Sequence, residues 1–450
     1  MSLVCFPFKT EHVPTVLRNV HVAAEHPAVS LVLLVGACRN ACFNAVVSAI
    51  DAVNASPTPF AVPVVVQQQQ RVGALRPGKG DGMNSALDYF LSAHLVHANA
   101  LSAPLQRIHF YDADISSFDA SWITKAEAGA ALGYDVVRHY FPRSSTDAQV
   151  TWQITKVGFA MLWPRTTLPW VRQPLGGELC LSRTAAEVLV GDARCRRQSD
   201  WGVDTVYTFV CAQKGLSLLE VYVPQGKMHA LYGGLGDLKT MVCECFAAVQ
   251  SLRGEAVRAA AAVHQIDPAG AAPRDIRQKV AYDVEKSLGL LRANWSARQE
   301  TLLRLFGEDV AAPMLRARNW PEYGFMTERV WVAAYQVCLR EFVRGDDDWR
   351  ELLFRLWVAR VLNYTMRDVV RGYEYAMQAN TEMVMKLLVQ GDEARVPSGA
   401  AVDGKGAAVA AAAAAGAAHV GGVAQERGAE AGWREVNVAQ LAQQVEERVS

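Results

Sequence analysis

The sequence predicts an α/β domain built on a mostly parallel sheet, followed by an all-helical C-terminal domain. Three observations carry that expectation. Short apolar, β-branched runs alternate with helix-period segments through the first half of the chain. From about Leu238 onward, long helical segments follow one another with no strand between them. One predicted strand, residues 108–111, runs directly into Asp112-Ala113-Asp114. That pair stands at a strand's carboxyl end, where open α/β sheets hold their ligands.

Taken in order, residues 3–8 and 30–35 read as strands separated by a helix containing Val16, Val20, Val22 and Ala23. A third strand is expected over 60–66, after a Pro-containing loop. Residues 82–97 form a helical pattern with Met83, Leu87, Phe90 and Leu91 along one side. After the aspartate strand come a helix over 122–132 and a strand over 136–140. Two more strands, 150–163 and 216–223, precede the loop 224–237. The helical part comprises 238–252, 274–293, 298–305, 326–342 and 348–366, continuing to Leu388. Its stripe of Trp331, Tyr335, Leu352, Leu356, Trp357, Val361 and Leu362 reads as core or as a subunit interface, hence the expectation of a homo-oligomer through this domain. The expected domains are therefore 1–240 and 241–390. A Gly/Ala-rich linker over 391–432 and a short amphipathic helix over 433–450 complete the chain.

Composition narrows the function classes. The 450 residues are 51% hydrophobic and 20% charged, with 45 basic and 45 acidic side chains. No global charge draws the chain to nucleic acid or to an anionic membrane, so any phosphate recognition is local. The nine cysteines are scattered and include no C-x-x-C pair, which points to reduced, mostly buried thiols. Neither a secretory leader nor a membrane span of about 18 apolar residues is present; the Ala run 407–418 is too weakly apolar. A cytoplasmic enzyme is the expectation.

Side chains at i and i+2 of an extended chain point the same way, so Asp112 and Asp114 are expected to face one ligand together. Two hard oxygen donors suit a divalent cation bridging phosphate oxygens; an acidic turn is the other reading. Upstream, Arg76-Pro77-Gly78-Lys79-Gly80-Asp81-Gly82-Met83-Asn84 leads into a helix. Glycines admit backbone amides to an anion, the helix N-terminus adds positive potential, and Lys79 supplies a mobile charge. It is not a Walker A loop, and by itself fits a tight turn as well as a ligand loop. A dehalogenase-type phosphatase would place its Gly-Asp-Gly turn after the aspartates, whereas here it comes before.

A third piece is Gly226-Lys227-Met228-His229-Ala230-Leu231-Tyr232-Gly233-Gly234, where His229 is the best-placed histidine to join Asp114 on a metal. His94, His97 and His264 read as helix-surface or packing residues, and His109 and His139 as structural. Arg143 follows a strand and can grip a carboxylate with a bidentate fork, with Thr151 as a hydroxyl donor. An ion pair between Arg143 and Asp147 accounts for it equally well. Asp200 reads as an N-cap, and Asp204, one turn in, as an acceptor for a sugar hydroxyl.

With these residues assembled, the chain resembles the mannosylglycerate synthase family, retaining glycosyltransferases of the GT-A fold. The likeness lies in Pro7-Phe8-Lys9, residues 75–84, 108–116 with Trp122-Ile123-Thr124-Lys125, 138–143, 173–178, 199–209 and 231–234. It continues through Glu351-Leu352-Leu353-Phe354 and residues 360–366, covering about residues 1–390. The resemblance implies that Pro7, Phe8, Lys9, Glu11, Val35, Gln69 and Lys79 line a GDP pocket. Asp112 and Ala113 would touch the nucleotide-sugar. Asp114 and His229 would bind Mg2+ or Mn2+, and Asp204 and Tyr232 the donor sugar. Arg143, Ala148, Gln149, Val150 and Thr151 would hold the acceptor.

The implied reaction moves mannose from GDP-mannose to the 2-hydroxyl of D-glycerate. The main-chain carbonyl of Leu175 would lie near the anomeric carbon, with same-face attack through an oxocarbenium-like state. Asp112, Leu175 and Asp204 are the residues expected nearest the chemistry. One departure stands out: arginine follows the metal-binding histidine in the family, and Ala230 stands there in this chain. Alternatives are a sugar-1-phosphate nucleotidyltransferase, another donor or 2-hydroxy-acid acceptor, or a non-catalytic scaffold. The Lys9-Thr10-Glu11 stretch lacks the Gly-rich loop of a nucleotidyltransferase.

Overall fold

Six of the seven side chains of β1 (Ser2–Phe8) are buried, as expected of a central strand covered on both faces. A computed structural model of the chain describes residues 1–97, 101, 103–229, 235–257, 263–267, 282–393 and 432–435. After β1 come α1 (Val13–Ala24), β2 (Val29–Gly36), α2 (Ala41–Asn54), β3 (Val64–Gln68), α3 (Lys79–Val96), β4 (Arg107–Phe110), α4 (Ala120–Ala131) and β5 (Val136–Tyr140). A π-helical turn, Thr151–Lys156, then runs into α5 (Val157–Leu162). Next follow β6 (Leu179–Ser182), α6 (Arg183–Gly191), α7 (Ala193–Arg197), α8 (Val203–Gln213), β7 (Leu218–Tyr222), α9 (Leu235–Ser251) and β8 (Val263–Asp267). The helical region comprises α10 (Val284–Arg292), α11 (Ala297–Leu303), α12 (Glu308–Arg316), α13 (Glu328–Glu341), α14 (Asp347–Arg367) and α15 (Tyr373–Glu393), and β9 (Gly432–Glu435) ends the described chain.

Helix starts follow local chemistry: Asn40, Asp119, Ser182, Thr327 and Asp346 each accept a hydrogen bond from an amide of the first turn. The strand order is β3-β2-β1-β4-β6-β5-β7-β8-β9. All neighbours are parallel except those of β6 and β9. Helices α1, α2 and α4 cover one face, with Val16, Val20, Val46 and Trp122 against Val4, Phe6 and Leu34. On the other, α3, α6 and α8 bring Leu87, Phe90, Leu189 and Phe209 against Leu3, Leu33 and Ile108.

Several expectations are corrected. Residues 150–163 are not a strand: they are the π-helical turn and α5, buried on two sides. Val150, Ile154, Val157 and Ala160 join the core of the helical region, while Phe159 and Trp163 join the core under the sheet. A short helix buried all round has no polar face, so its apolar run carries no period to separate it from a strand. The third strand starts at Val64 rather than Phe60, directly after Pro63, whose ring nitrogen cannot donate to a ladder. Helix α3 starts at Lys79, three residues before the expected Gly82, and so takes the glycine-lysine segment into its first turn.

Strands β6 and β8 were not anticipated, and His264 lies on β8, its ring bonded to the Tyr134 hydroxyl, rather than on a helix. Of residues 274–293, only Val284–Arg292 is helical among the described residues. Gly432–Glu435 is a strand antiparallel to β8 where the start of a helix was expected. Residues 394–431 and 436–450, which hold most of the linker and terminal segment, lie outside the described residues, as does His419. The stripe from Trp331 to Leu362 is the chain's own core. All nine cysteines are free, seven of them buried. No helix among the described residues is long and apolar enough to cross a membrane.

Candidate active site

The site forms at the carboxyl ends of the parallel strands, and the antiparallel β6 completes it. Because β6 runs against β4, with Leu179 opposite Phe110, its first residue stands at the edge where β4 ends. Glu178, fully buried, thereby lies beside Asp112. The loop after β7 crosses the same edge and delivers Lys227 and His229; Met228 O accepts from Ser116 N (2.7 Å) and Gly226 O from Ser117 Oγ (2.7 Å), which ties it to the aspartate loop.

Five charged groups alternate in sign across this edge. Lys227 Nζ pairs with Glu178 Oε1 (2.6 Å) and with Asp112 Oδ2. Lys79 Nζ lies 3.7 Å from Asp112 Oδ1 and 3.0 Å from Asp204 Oδ2. Burial alone would raise the Asp112 carboxyl, but Lys227 and Lys79 outweigh it and hold Asp112 far below the ordinary carboxylate range. Burial likewise opposes the charge on Lys79, yet Asp204, Asp112 and Glu178 hold its pKa above the usual lysine range. Glu178 and Asp204 are both raised, chiefly by burial. A Cβ at Gly177 would stand 2.6 Å from Lys79 Nζ and 2.8 Å from Asp112 Oδ1, so only glycine admits this pair undisturbed.

Asp204 sits on the first turn of α8 with its side chain 4% exposed. Its Oδ1 has no hydrogen-bond partner among the described residues. A buried carboxylate oxygen without a donor is costly and suits a ligand hydroxyl. Asp200 is not the helix cap: Gly202 holds that position, and Asp200 accepts from Gly202 N (3.0 Å) and pairs with Arg344 of the helical region.

The extended chain stops at Phe110, and a turn follows at residues 113–114. Asp112 faces the lysines, and Asp114 acts electrostatically on His229 and Glu11. Burial lowers the His229 pKa, helped by Lys227 and Arg143 and opposed by Asp147 and Asp114. An unprotonated imidazole nitrogen and a carboxylate oxygen are both able to donate to a divalent metal. No group of three or more His, Cys, Asp or Glu able to hold a metal occurs among the described residues. Asp114 and His229 are the residues at this edge that could contribute donor atoms to a metal.

Three of the residues expected to line the nucleotide pocket, Pro7, Val35 and Gln69, lie near the start of α3. A Cβ placed at Gly82 would lie 3.3 Å from Gln69 Oε1, 3.9 Å from Pro7 Cβ and 4.0 Å from Val35 Cγ1. Phe8 stacks on Phe43 (5.9 Å), Glu11 accepts from Lys9 N, and Asn40 Nδ2 donates to Lys9 O (2.7 Å), which fixes the loop after β1. Lys79 is the first helical residue, at the positive end of α3.

On the opposite side, Arg143 Nε pairs with Asp147 Oδ2 (2.8 Å), the loop ion pair the sequence left open, and Arg143 Nη1 reaches Gln173 Oε1 at 3.4 Å. Val150 packs in the helical core, and Gln149 and Thr151 are buried, so among 148–151 only Ala148 is half-buried. Leu175 lies in a loop clamped by buried Arg138, which donates to Gln173 O (3.1 Å) and Gly176 O (2.8 Å), and by Thr208 Oγ1, which donates to Pro174 O (2.8 Å). Tyr232 and Ala230 lie outside the described residues.

Sequence reasoning missed Lys227 and Glu178. Both stand in segments already singled out, Lys227 two residues before His229 and Glu178 after a Gly-Gly pair, but only the antiparallel β6 shows that they meet.

Comparison with known proteins shows the family. A family model of the mannosylglycerate synthase GT domain matches residues 2–251, and one of the mannosylglycerate synthase C-terminal domain matches residues 276–384. The chain is 53% identical to a mannosylglycerate synthase of Selaginella moellendorffii over 386 residues, 85% of this chain and 89% of that protein. It is 52% identical to that of Rhodothermus marinus over 378 residues, 84% and 92% of the two chains. Among solved structures, glucosyl-3-phosphoglycerate synthase from Mycobacterium tuberculosis aligns with a TM-score of 0.43 at 17% identity, over 56% of this chain and 80% of that one. Two matched domain models and relatives more than half identical over most of their length show that the chain belongs to the mannosylglycerate synthase family and is a glycosyltransferase.

Proposed function

We propose that the chain is a divalent-metal-dependent, retaining mannosyltransferase that moves mannose from GDP-mannose to the 2-hydroxyl of D-glycerate, giving α-mannosylglycerate. The observation that carries this reading is the alternating array Glu178, Lys227, Asp112, Lys79, Asp204 beside the Asp114–His229 pair. It joins fixed cations, a candidate metal site and a buried carboxylate oxygen that has no hydrogen-bond partner among the described residues. The mannosyl group and the glycerate acceptor come from the name the relatives carry, and the GDP of the donor from the family resemblance.

Asp114 and His229 would hold Mg2+ or Mn2+, which supplies charge neutralisation at the donor diphosphate when bound. Pro7, Phe8, Lys9, Glu11, Val35 and Gln69 form the guanosine side. Lys79, held ionised by three carboxylates, stabilises negative charge on the departing phosphate. Asp204 Oδ1 accepts from a mannose hydroxyl, and Asp112 and Ala113 border the nucleotide-sugar. Arg143 exchanges its Asp147 partner for the glycerate carboxylate and orients the 2-hydroxyl. The Leu175 carbonyl, fixed by Arg138, lies under the sugar. A main-chain carbonyl is a poor nucleophile, so the acceptor attacks the face the leaving group departs from, and a phosphate oxygen takes its proton. The nine free thiols accord with a cytoplasmic enzyme, and a homo-oligomer through the helical region belongs to the same proposal.

The test is a product assay with Asp114→Ala and Arg143→Ala. Asp114→Ala should abolish both transfer and metal-dependent donor binding, and Arg143→Ala should raise the acceptor KM while sparing donor binding. Trapping a covalent mannosyl adduct on Asp204 would overturn the same-face mechanism.

A further inference from the structure

The segment after Arg143 is held by the helical region more than by the sheet. Ala148 has a φ of 60° and is the one described non-glycine residue in the left-handed region, a conformation that must be imposed by its surroundings. Its carbonyl accepts from Trp152 N (3.0 Å), and the chain then winds through the π-helical turn Thr151–Lys156. A π turn bonds each amide to the fifth carbonyl back, so it holds one residue more than an α-helix would, and loses out to the α form unless other contacts favour it.

Those contacts come from α13. Trp331 Nε1 donates to Gln153 O (3.0 Å) and Tyr335 Oη donates to Ile154 O (2.8 Å). The two donors are four residues apart and so lie on one helix face, and both side chains are fully buried. On α14, Tyr364 Oη lies 3.0 Å from Ser145 O and 3.1 Å from Ala376 O and accepts from Asn380 Nδ2 (2.9 Å), and Arg360 Nε donates to Gln153 Oε1 at 3.2 Å.

We propose that Trp331, Tyr335 and Tyr364 are positioning residues for the acceptor: they hold the π-helical turn in register and, through it, the strained Ala148 and the Arg143 segment. Relaxation to an α-helix removes one residue from the turn and rotates everything upstream by about 100° relative to α5. The inference rests on reading residues 143 and 148–151 as the acceptor side.

Tyr335→Phe and Tyr364→Phe remove one hydroxyl each and leave ring and volume in place. Amide hydrogen exchange of residues 143–156, measured on the full chain without ligand, should be faster in both variants. Steady-state kinetics should show the D-glycerate KM raised about three- to tenfold, the loss expected for one buried hydrogen bond, with the GDP-mannose KM changed less than about twofold. Unchanged exchange overturns the proposal, as does faster exchange with the two KM values unmoved or rising together. Should the wild-type chain fail to transfer mannose to glycerate at all, the functional reading falls by itself, and exchange then decides whether α13 and α14 hold the turn.

Discussion

Lys227 meets Asp112 and Glu178 with one ammonium group, so replacing it takes the ion-pair partner from the buried Glu178 and leaves the part-exposed Asp112 with Lys79. Breaking a buried pair by removing one partner costs about 3–5 kcal/mol. Lys227→Met is expected to destabilise the fold by about that amount in denaturant titration and to cut turnover; an unshifted midpoint would show that the pair contributes no stability. Two other residues contribute to acid stability. Burial brings His139, bonded to Trp122 O at 2.9 Å, from 6.5 to about 4. Burial opposes the charge of Glu127, but bonds from His109 and Ser2 and the charge of Arg107 bring it from 4.5 to about 2. As pH falls through 6.5 the unfolded chain takes up the His139 proton first, so that share of stability is lost between pH 6.5 and about 4. The Glu127 share is present above pH 4.5 and disappears as pH falls to about 2. Unfolding free energy should therefore decline from pH 6.5 downward, with Glu127→Gln flattening the lower part alone. A profile flat from pH 7 to 4 contradicts the His139 account.

At the scale of elements, the start of α3 places Lys79, and the fit there is close. A Cβ at Gly80 would stand 2.3 Å from Gln198 O and 2.7 Å from the Ser199 carbonyl carbon, both backbone. Gly80→Ala should therefore push the helix start away, lowering stability by about 1–3 kcal/mol. The donor KM should rise while the acceptor KM stays near wild type; a wild-type donor KM would show that the approach is not needed. The alternation of β1, α1, β2, α3, β4, α4 and β5 was legible because each strand is a compact apolar run and each helix has a polar face. The segment 150–163 was not, since burial on two sides erases its period, and β6 was not, because Leu179-Cys180-Leu181-Ser182 is too short to show one.

In the whole molecule, the sheet's carboxyl edge gathers loops far apart in sequence, and the helical region braces one side of it through α13 and α14. The ingredients of the site were readable: the aspartates, Lys79, His229, Arg143 and Asp204 all stand on that edge or beside it. Their arrangement was not, because a turn at residues 113–114 follows the strand, and strand periodicity cannot reveal it. The partners Lys227 and Glu178 depend on an antiparallel strand threaded between parallel ones. The most direct test of the account is transfer from GDP-mannose to D-glycerate by the purified chain, with and without EDTA, the product's anomeric configuration being read by NMR. The account predicts α-mannosylglycerate that disappears with EDTA and returns with Mg2+ or Mn2+. A β-linked product, or transfer undiminished by the chelator, would contradict it.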